Sequence, residues 1–161
     1  METMIRPSHI ESSPPRRHDH RVSKVTHDLT RLQALDRMVV DEHDATLAVR
    51  VVCATFQVPE PRLKFHGGRS MFTGATERPR HYWVETLGED EVVRRERNGW
   101  GALPVDGAIR LGRETTLMTV AHELGHHLVF HLDPTATPPH GNRWVTRFDD
   151  SASVISRLID V

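Results

Sequence analysis

Apolar positions recur at helical spacing in three parts of the chain. In the first, Leu32, Leu35, Val39, Val49, Val52 and Phe56 form one stripe across residues 29–56, with a polar interruption at Asp41–Asp44. Asp28 is placed to cap its start, and Val58-Pro59-Glu60-Pro61 to stop it. One bent helix or two abutting helices satisfy this pattern equally. The second part runs from about Arg113 to His131, with Leu117, Ala121, Leu124 and Leu128 on one face. The third, Asn142 to Ile159, reads as one or two helical segments. Between them lie strand-like pieces: Leu63–His66, Arg80–Leu87 and Ala108–Leu111, with Glu91–Arg97 charged enough to form an edge strand. Gly67-Gly68, Gly88-Glu89-Asp90 and Asn98-Gly99 mark turns. The pattern predicts an α+β fold: a small, mostly antiparallel sheet packed on an N-terminal helix and on the helix near residues 113–131.

Residues 1–26 carry Pro7, Pro14, Pro15, Arg16 and Arg17 and few apolar residues, so they are expected to form a flexible tail. His18 and His20 fall within it and are read as solvated. Residues 27–161 are then a single domain, long enough to bury a core.

Composition narrows the function classes. The formal net charge is -1, so no bulk attraction to nucleic acid or membrane is implied. The run Arg94-Arg95-Glu96-Arg97 could touch phosphate but reads as a solvated face. Cys53 is the sole cysteine, which rules out an intrachain disulfide and fits a reducing compartment. Its neighbours Val49, Val51, Val52 and Phe56 give it a packing role. Met1–Lys24 has no apolar signal core, and no apolar run reaches the roughly 18 residues a membrane span needs. A cytoplasmic location is expected.

The candidate chemistry lies in His122-Glu123-Leu124-Gly125-His126. At about 100° per residue, His122 and His126 stand within about 40° of each other on a helix, and Glu123 lies just to one side. Two imidazoles so placed can grip one metal ion, and the glutamate can act on the water that the ion activates. The apolar stripe falls on the opposite face.

A zinc site with this motif needs a third protein ligand. The metzincin positions for Gly and His are Val129 and Leu132 here, which excludes that class. His127 and His131 are directed about 100° and 140° away from His126, so they read as core or surface histidines. The prolines at 134, 138 and 139 force a loop after Asp133. That loop can turn His140 back beneath the first two ligands. His140 is therefore the favoured third ligand, with Asp149 and Asp150 as competitors.

His122-Glu123-x-x-His126, 13 intervening residues, then His140-Gly141-x-x-Trp144, resembles the SprT-like metallopeptidase pattern. It is most similar to a metallohydrolase family of actinomycetes and their phages, and the scarcity of lysine (Lys24 and Lys64 only) fits a GC-rich genome. The resemblance spans about residues 28–158. It implies a minimal zincin-like domain holding one zinc ion through His122, His126 and His140, with Glu123 as the catalytic base and a peptide or protein as substrate. Trp144 stands where Phe is more usual, and a single cysteine leaves no four-cysteine zinc ribbon of the kind found in relatives that act on DNA-bound proteins. The run His122–His127 also resembles the ImmA-type phage-regulator peptidases. That similarity carries the alternative of a regulator that cleaves a repressor, or that uses the fold only for binding.

Several subsidiary assignments follow. Tyr82, His81 and His127 are candidates to stabilise an oxyanion. Asp149, Asp150 or Asp106 are candidates to orient the ligand histidines. Arg80–Leu87 is the candidate edge strand for pairing with a substrate. Gly125 costs about 1 kcal/mol relative to Ala in a helix interior, which a close approach by the segment bearing His140 would explain.

Overall fold

The structure, a computed structural model, describes residues 8–11, 29–66, 74–134 and 140–159. In chain order these form β1 (Ser8–Glu11), α1 (Leu29–Arg37), α2 (Glu42–Phe56), β2 (Arg62–Phe65), β3 (Gly74–Glu77), α3 (Arg80–Leu87), α4 (Glu89–Arg95), β4 (Ala108–Leu111), α5 (Leu117–Leu132) and α6 (Asn142–Ile159). The fold is mixed α and β. Its sheet has the order β1-β3-β4-β2. β1 and β4 both run antiparallel to β3, whereas β2 runs parallel to β4. The sheet is thus mixed, with a parallel pair that the local sequence pattern does not signal.

The first helical stripe resolves into two helices. Asp41 breaks it by capping α2: its Oδ1 accepts a hydrogen bond from Asp44 N at 2.8 Å. Gln57, in the left-handed region at φ 54°, ends α2. The segment between α1 and α2 is tied to the start of α5: Val40 N bonds to Thr115 O, and Leu117 N to Met38 O. Val39 is accordingly turned outward and 64% exposed, contrary to its place in the helical stripe. Asp28 and the Gly67-Gly68 turn lie outside the described residues.

Two expected strands are helices. Arg80–Leu87 is α3, and Glu91–Arg97 is divided between α4 and a wide turn, Glu96–Trp100. β-branched and aromatic residues suggested extension, but the ion pairs favour coiling. Glu91 reaches both Arg94 and Arg95, the three- and four-residue spacing that only a helix brings together. Arg80 pairs with Glu89 and Glu96, each at 3.0 Å, and folds α3 back on α4. Gly99, at φ 128°, occupies a conformation that favours glycine in the wide turn. Because Arg80–Leu87 is helical, it cannot serve as the substrate-pairing edge.

β1 lies within the segment expected to be a flexible tail; the rest of residues 1–26 lies outside the described residues. β4 matches its expected span, Ala108–Leu111. β3 was missed altogether. Its four residues, Gly74-Ala75-Thr76-Glu77, are all buried but carry neither a β-branched run nor an alternating pattern.

One core joins the layers. Val49, Val52 and Cys53 of α2 meet Ile109 and Leu111 of β4, Leu124 and Leu128 of α5, and Trp144, Phe148 and Ile155 of α6. Cys53 is buried within it, as expected from its neighbours. Among the described residues, no helix is long and apolar enough to cross a membrane.

Candidate metal centre

α5 begins at Thr116, whose side chain accepts a hydrogen bond from Thr119 N. From there the helix is buried continuously from Leu117 to Val129. Its apolar side faces the core; its other buried side carries His122, Glu123 and His126. Thus three groups that prefer water lie inside the protein, an arrangement that requires specific partners.

His140 supplies the third imidazole. Its Nε2 lies 3.3 Å from Nε2 of His122. The ring centroids of His126 and His140 are 4.9 Å apart, and those of His122 and His126 are 5.1 Å apart. One ligand atom from each of the three histidines falls within 4.8 Å of the others. Among the described residues, this is the group of His, Cys, Asp and Glu side chains close enough to hold a metal ion. Two nitrogens on a tetrahedral ion at about 2.0–2.1 Å stand about 3.3 Å apart, so the His122–His140 separation fits that geometry. A set of three neutral imidazoles also suits zinc and other borderline divalent ions.

The end of α5 is tied to α6. Arg147 of α6 donates to Asp133, where α5 gives way to the loop, at 2.8 Å, and to Asp150 at 3.2 Å. Asp150, a competing ligand in the sequence, is therefore committed to Arg147. Neither it nor Asp149 joins the three-histidine group.

Trp144 forms the floor. Its ring is 4.8 Å from that of His122, 5.5 Å from that of His126 and 4.6 Å from that of His140. It is 1% exposed, and its indole N–H donates to His122 O at 3.3 Å. One aromatic side chain thus packs on all three imidazoles and screens them from solvent. Gly125 makes this possible: a Cβ there would lie 2.9 Å from Trp144 Nε1 and 3.2 Å from the Phe148 backbone. The helix-interior glycine is explained by the close approach of α6.

Glu123 is held by β3. Thr76 Oγ1 lies 3.1 Å from Glu123 O and 3.2 Å from Glu123 Oε1, within reach to share its proton between them. At Gly74, a Cβ would meet Glu123 Cγ at 3.0 Å and Oε2 at 3.1 Å. The strand therefore lies against the carboxylate, and side-chain-free backbone at Gly74 is what permits it. Sequence reasoning missed both Gly74 and Thr76. A small-residue strand of this length leaves no periodic signal.

The remaining candidates are placed elsewhere. His127 is buried, and its Nε2 donates to Pro59 O at 2.8 Å. Burial pushes its pKa down to about 4, with a smaller lowering from His131 and an opposing effect of the bond to Pro59. It is a neutral core histidine. His131 Nε2 donates to Asp106 O at 3.0 Å, so it too belongs to the packing behind the helix, and Asp106 meets it through the backbone rather than orienting a ligand histidine. His81 is exposed on α3, with its ring 5.9 Å from that of His131. Tyr82 sits under the Arg78 guanidinium, which also lies 4.6 Å from the ring centre of Phe130. Phe130 in turn stacks on His126 at 6.4 Å. Tyr82 is thereby linked to the centre through two intervening side chains, not by direct contact.

No family model, curated protein or solved structure matches the chain.

Proposed function

We propose that the protein is a zinc-dependent hydrolase that cleaves peptide bonds. The observation that carries this reading is the convergence of His122, His126 and His140 on one point, with the buried Glu123 held beside them by Thr76. The zincin-like character of the domain and its kinship with SprT-like metallopeptidases belong to the same proposal. So does the identity of the ion.

His122, His126 and His140 would hold the zinc through ring nitrogens. When bound, zinc polarises a substrate carbonyl and lowers the pKa of water toward about 7. Glu123 accepts the proton of the attacking water on its carboxylate and returns it to the leaving nitrogen. Thr76 orients that carboxylate through Oε1, so the base does not have to find its position during the reaction. Trp144 excludes water from the inner side of the three imidazoles. Burial of the whole group strengthens each electrostatic interaction within it.

The same geometry supports hydrolysis over a purely binding role, because a binding module has no use for a buried carboxylate between two ligand histidines. The discriminating experiment is Glu123→Gln, assayed on a peptide library alongside the unsubstituted chain. The substituted protein is expected to keep its zinc and lose at least about a hundredfold in kcat, the scale of a missing general base. Equal cleavage by both would refute the assignment of Glu123, and cleavage by neither would refute the peptidase reading.

A further inference from the structure

We infer that the outer edge of β3 is a docking site for an extended peptide, and that the chain's own Ser8–Glu11 occupies it. The inference rests on the hydrolase reading for its consequence, since the occupied edge belongs to the strand that holds the catalytic base. β3 is the strand whose Thr76 bonds Glu123 and whose Gly74 lies against that side chain. One edge of β3 is filled by β4, which belongs to the folded core. The other is filled by β1 in antiparallel register: Ser8 opposite Glu77, His9 opposite Thr76, Ile10 opposite Ala75 and Glu11 opposite Gly74.

β1 is unlike the other strands in its connection. β2, β3 and β4 all fall between α2 and α5, whereas β1 precedes α1 and is the outermost strand beside β3. A segment in this position donates main-chain hydrogen bonds to a strand edge, which is how extended peptides add to a sheet. Without it, β3 would present unpaired N–H and C=O groups beside the metal centre. An incoming peptide makes the same bonds to β3 and so competes with Ser8–Glu11 for one place. Because the segment belongs to the same chain, its pairing with β3 is intramolecular and does not depend on protein concentration. Weak foreign peptides are then excluded, and only those that pair better gain access beside Glu123.

The test uses the full chain carrying Ile10→Cys and Ala75→Cys, substitutions at positions directly opposite in the register. The native Cys53 is buried and its thiol is pushed up to about 12, so it does not compete for the new pair. The Glu123→Gln substitution is included so that binding is read without turnover. The probe is a fluorescein-labelled peptide of residues 6–13, followed by anisotropy. Oxidised glutathione should close a disulfide between the two introduced thiols, and the oxidised protein should bind the probe at least tenfold more weakly than after dithiothreitol. Failure of the disulfide to form, or equal binding in both states, would overturn the inference. A second variant guards against misfolding of the first. His9→Pro with Ile10→Pro removes from β1 the N–H that one of these two successive positions turns toward β3. It should bind the probe at least tenfold tighter than the Glu123→Gln chain alone and exchange the Gly74–Glu77 amides faster. Unchanged binding and exchange would count against the docking site. Gated probe binding by a chain whose native Glu123 gives no hydrolysis would leave this inference standing and remove the peptidase reading.

Discussion

Trp144 and Gly125 are in such close apposition that a single methyl group at residue 125 would lie 2.9 Å from the indole nitrogen. Gly125 sits on α5, which carries His122 and His126, and Trp144 on α6, which begins two residues after His140. Gly125→Ala adds helix propensity worth about 1 kcal/mol. It also pushes against the Phe148 backbone, which cannot rotate aside, and overpacking costs about 1–3 kcal/mol. A net loss of up to about 2 kcal/mol is expected in urea unfolding, together with weaker zinc binding as α6 shifts away. A variant as stable as the parent, with unchanged zinc affinity, would show that the contact can relax freely.

Trp144→Phe separates packing from hydrogen bonding. Phenylalanine keeps an aromatic floor but leaves His122 O without the indole donor. A loss of about 1–3 kcal/mol in stability is expected, with one zinc retained. Trp144→Ala should cost more, about 3–5 kcal/mol, and release the metal by opening the inner side of the site. Isothermal titration with zinc, paired with thermal melts, reads both effects.

Thr76→Val tests whether β3 positions the base. The substitution keeps the side-chain shape and removes the hydroxyl near Glu123 Oε1. We expect kcat to fall about tenfold with KM nearly unchanged, and zinc content to stay at one equivalent. Thr76→Ser should restore most of the rate. If Val and Ser variants behave alike, Thr76 contributes shape rather than orientation.

Cys53 offers a probe of pH dependence. Burial, with a smaller contribution from Glu60, pushes its thiol up to about 12. Because the thiolate is the reactive form, raising the pH from 7 to 9 should not produce appreciable labelling of the native protein. Labelling should occur at the rate of an ordinary thiol once the protein is unfolded in guanidinium. Rapid native labelling at pH 8 would place Cys53 outside the core.

The legible parts of this molecule were those written in local periodicity. The 3.6-residue spacing of Leu117, Ala121, Leu124 and Leu128 set the orientation of α5, and with it the shared face of His122 and His126. His140, expected beside them from the proline-rich break after Asp133, lies within metal-holding distance of both. What could not be read was decided by distant partners. Arg80–Leu87 carries Tyr82, Trp83 and Val84, residues that favour strands in general, yet Arg80 finds Glu89 and Glu96 only when the segment coils. β3 has no apolar alternation, and Gly74 and Thr76 lie against Glu123, which is 47 positions away from Thr76.

The most direct measurement is the zinc content of purified protein by mass spectrometry of the elements, for the unsubstituted chain, His140→Ala and Asp150→Ala. The expected result is about one zinc per chain in the first and third, and less than about a tenth in His140→Ala. A parent chain that neither carries zinc nor takes it up, or a His140→Ala protein that keeps a full equivalent, would contradict the three-histidine centre.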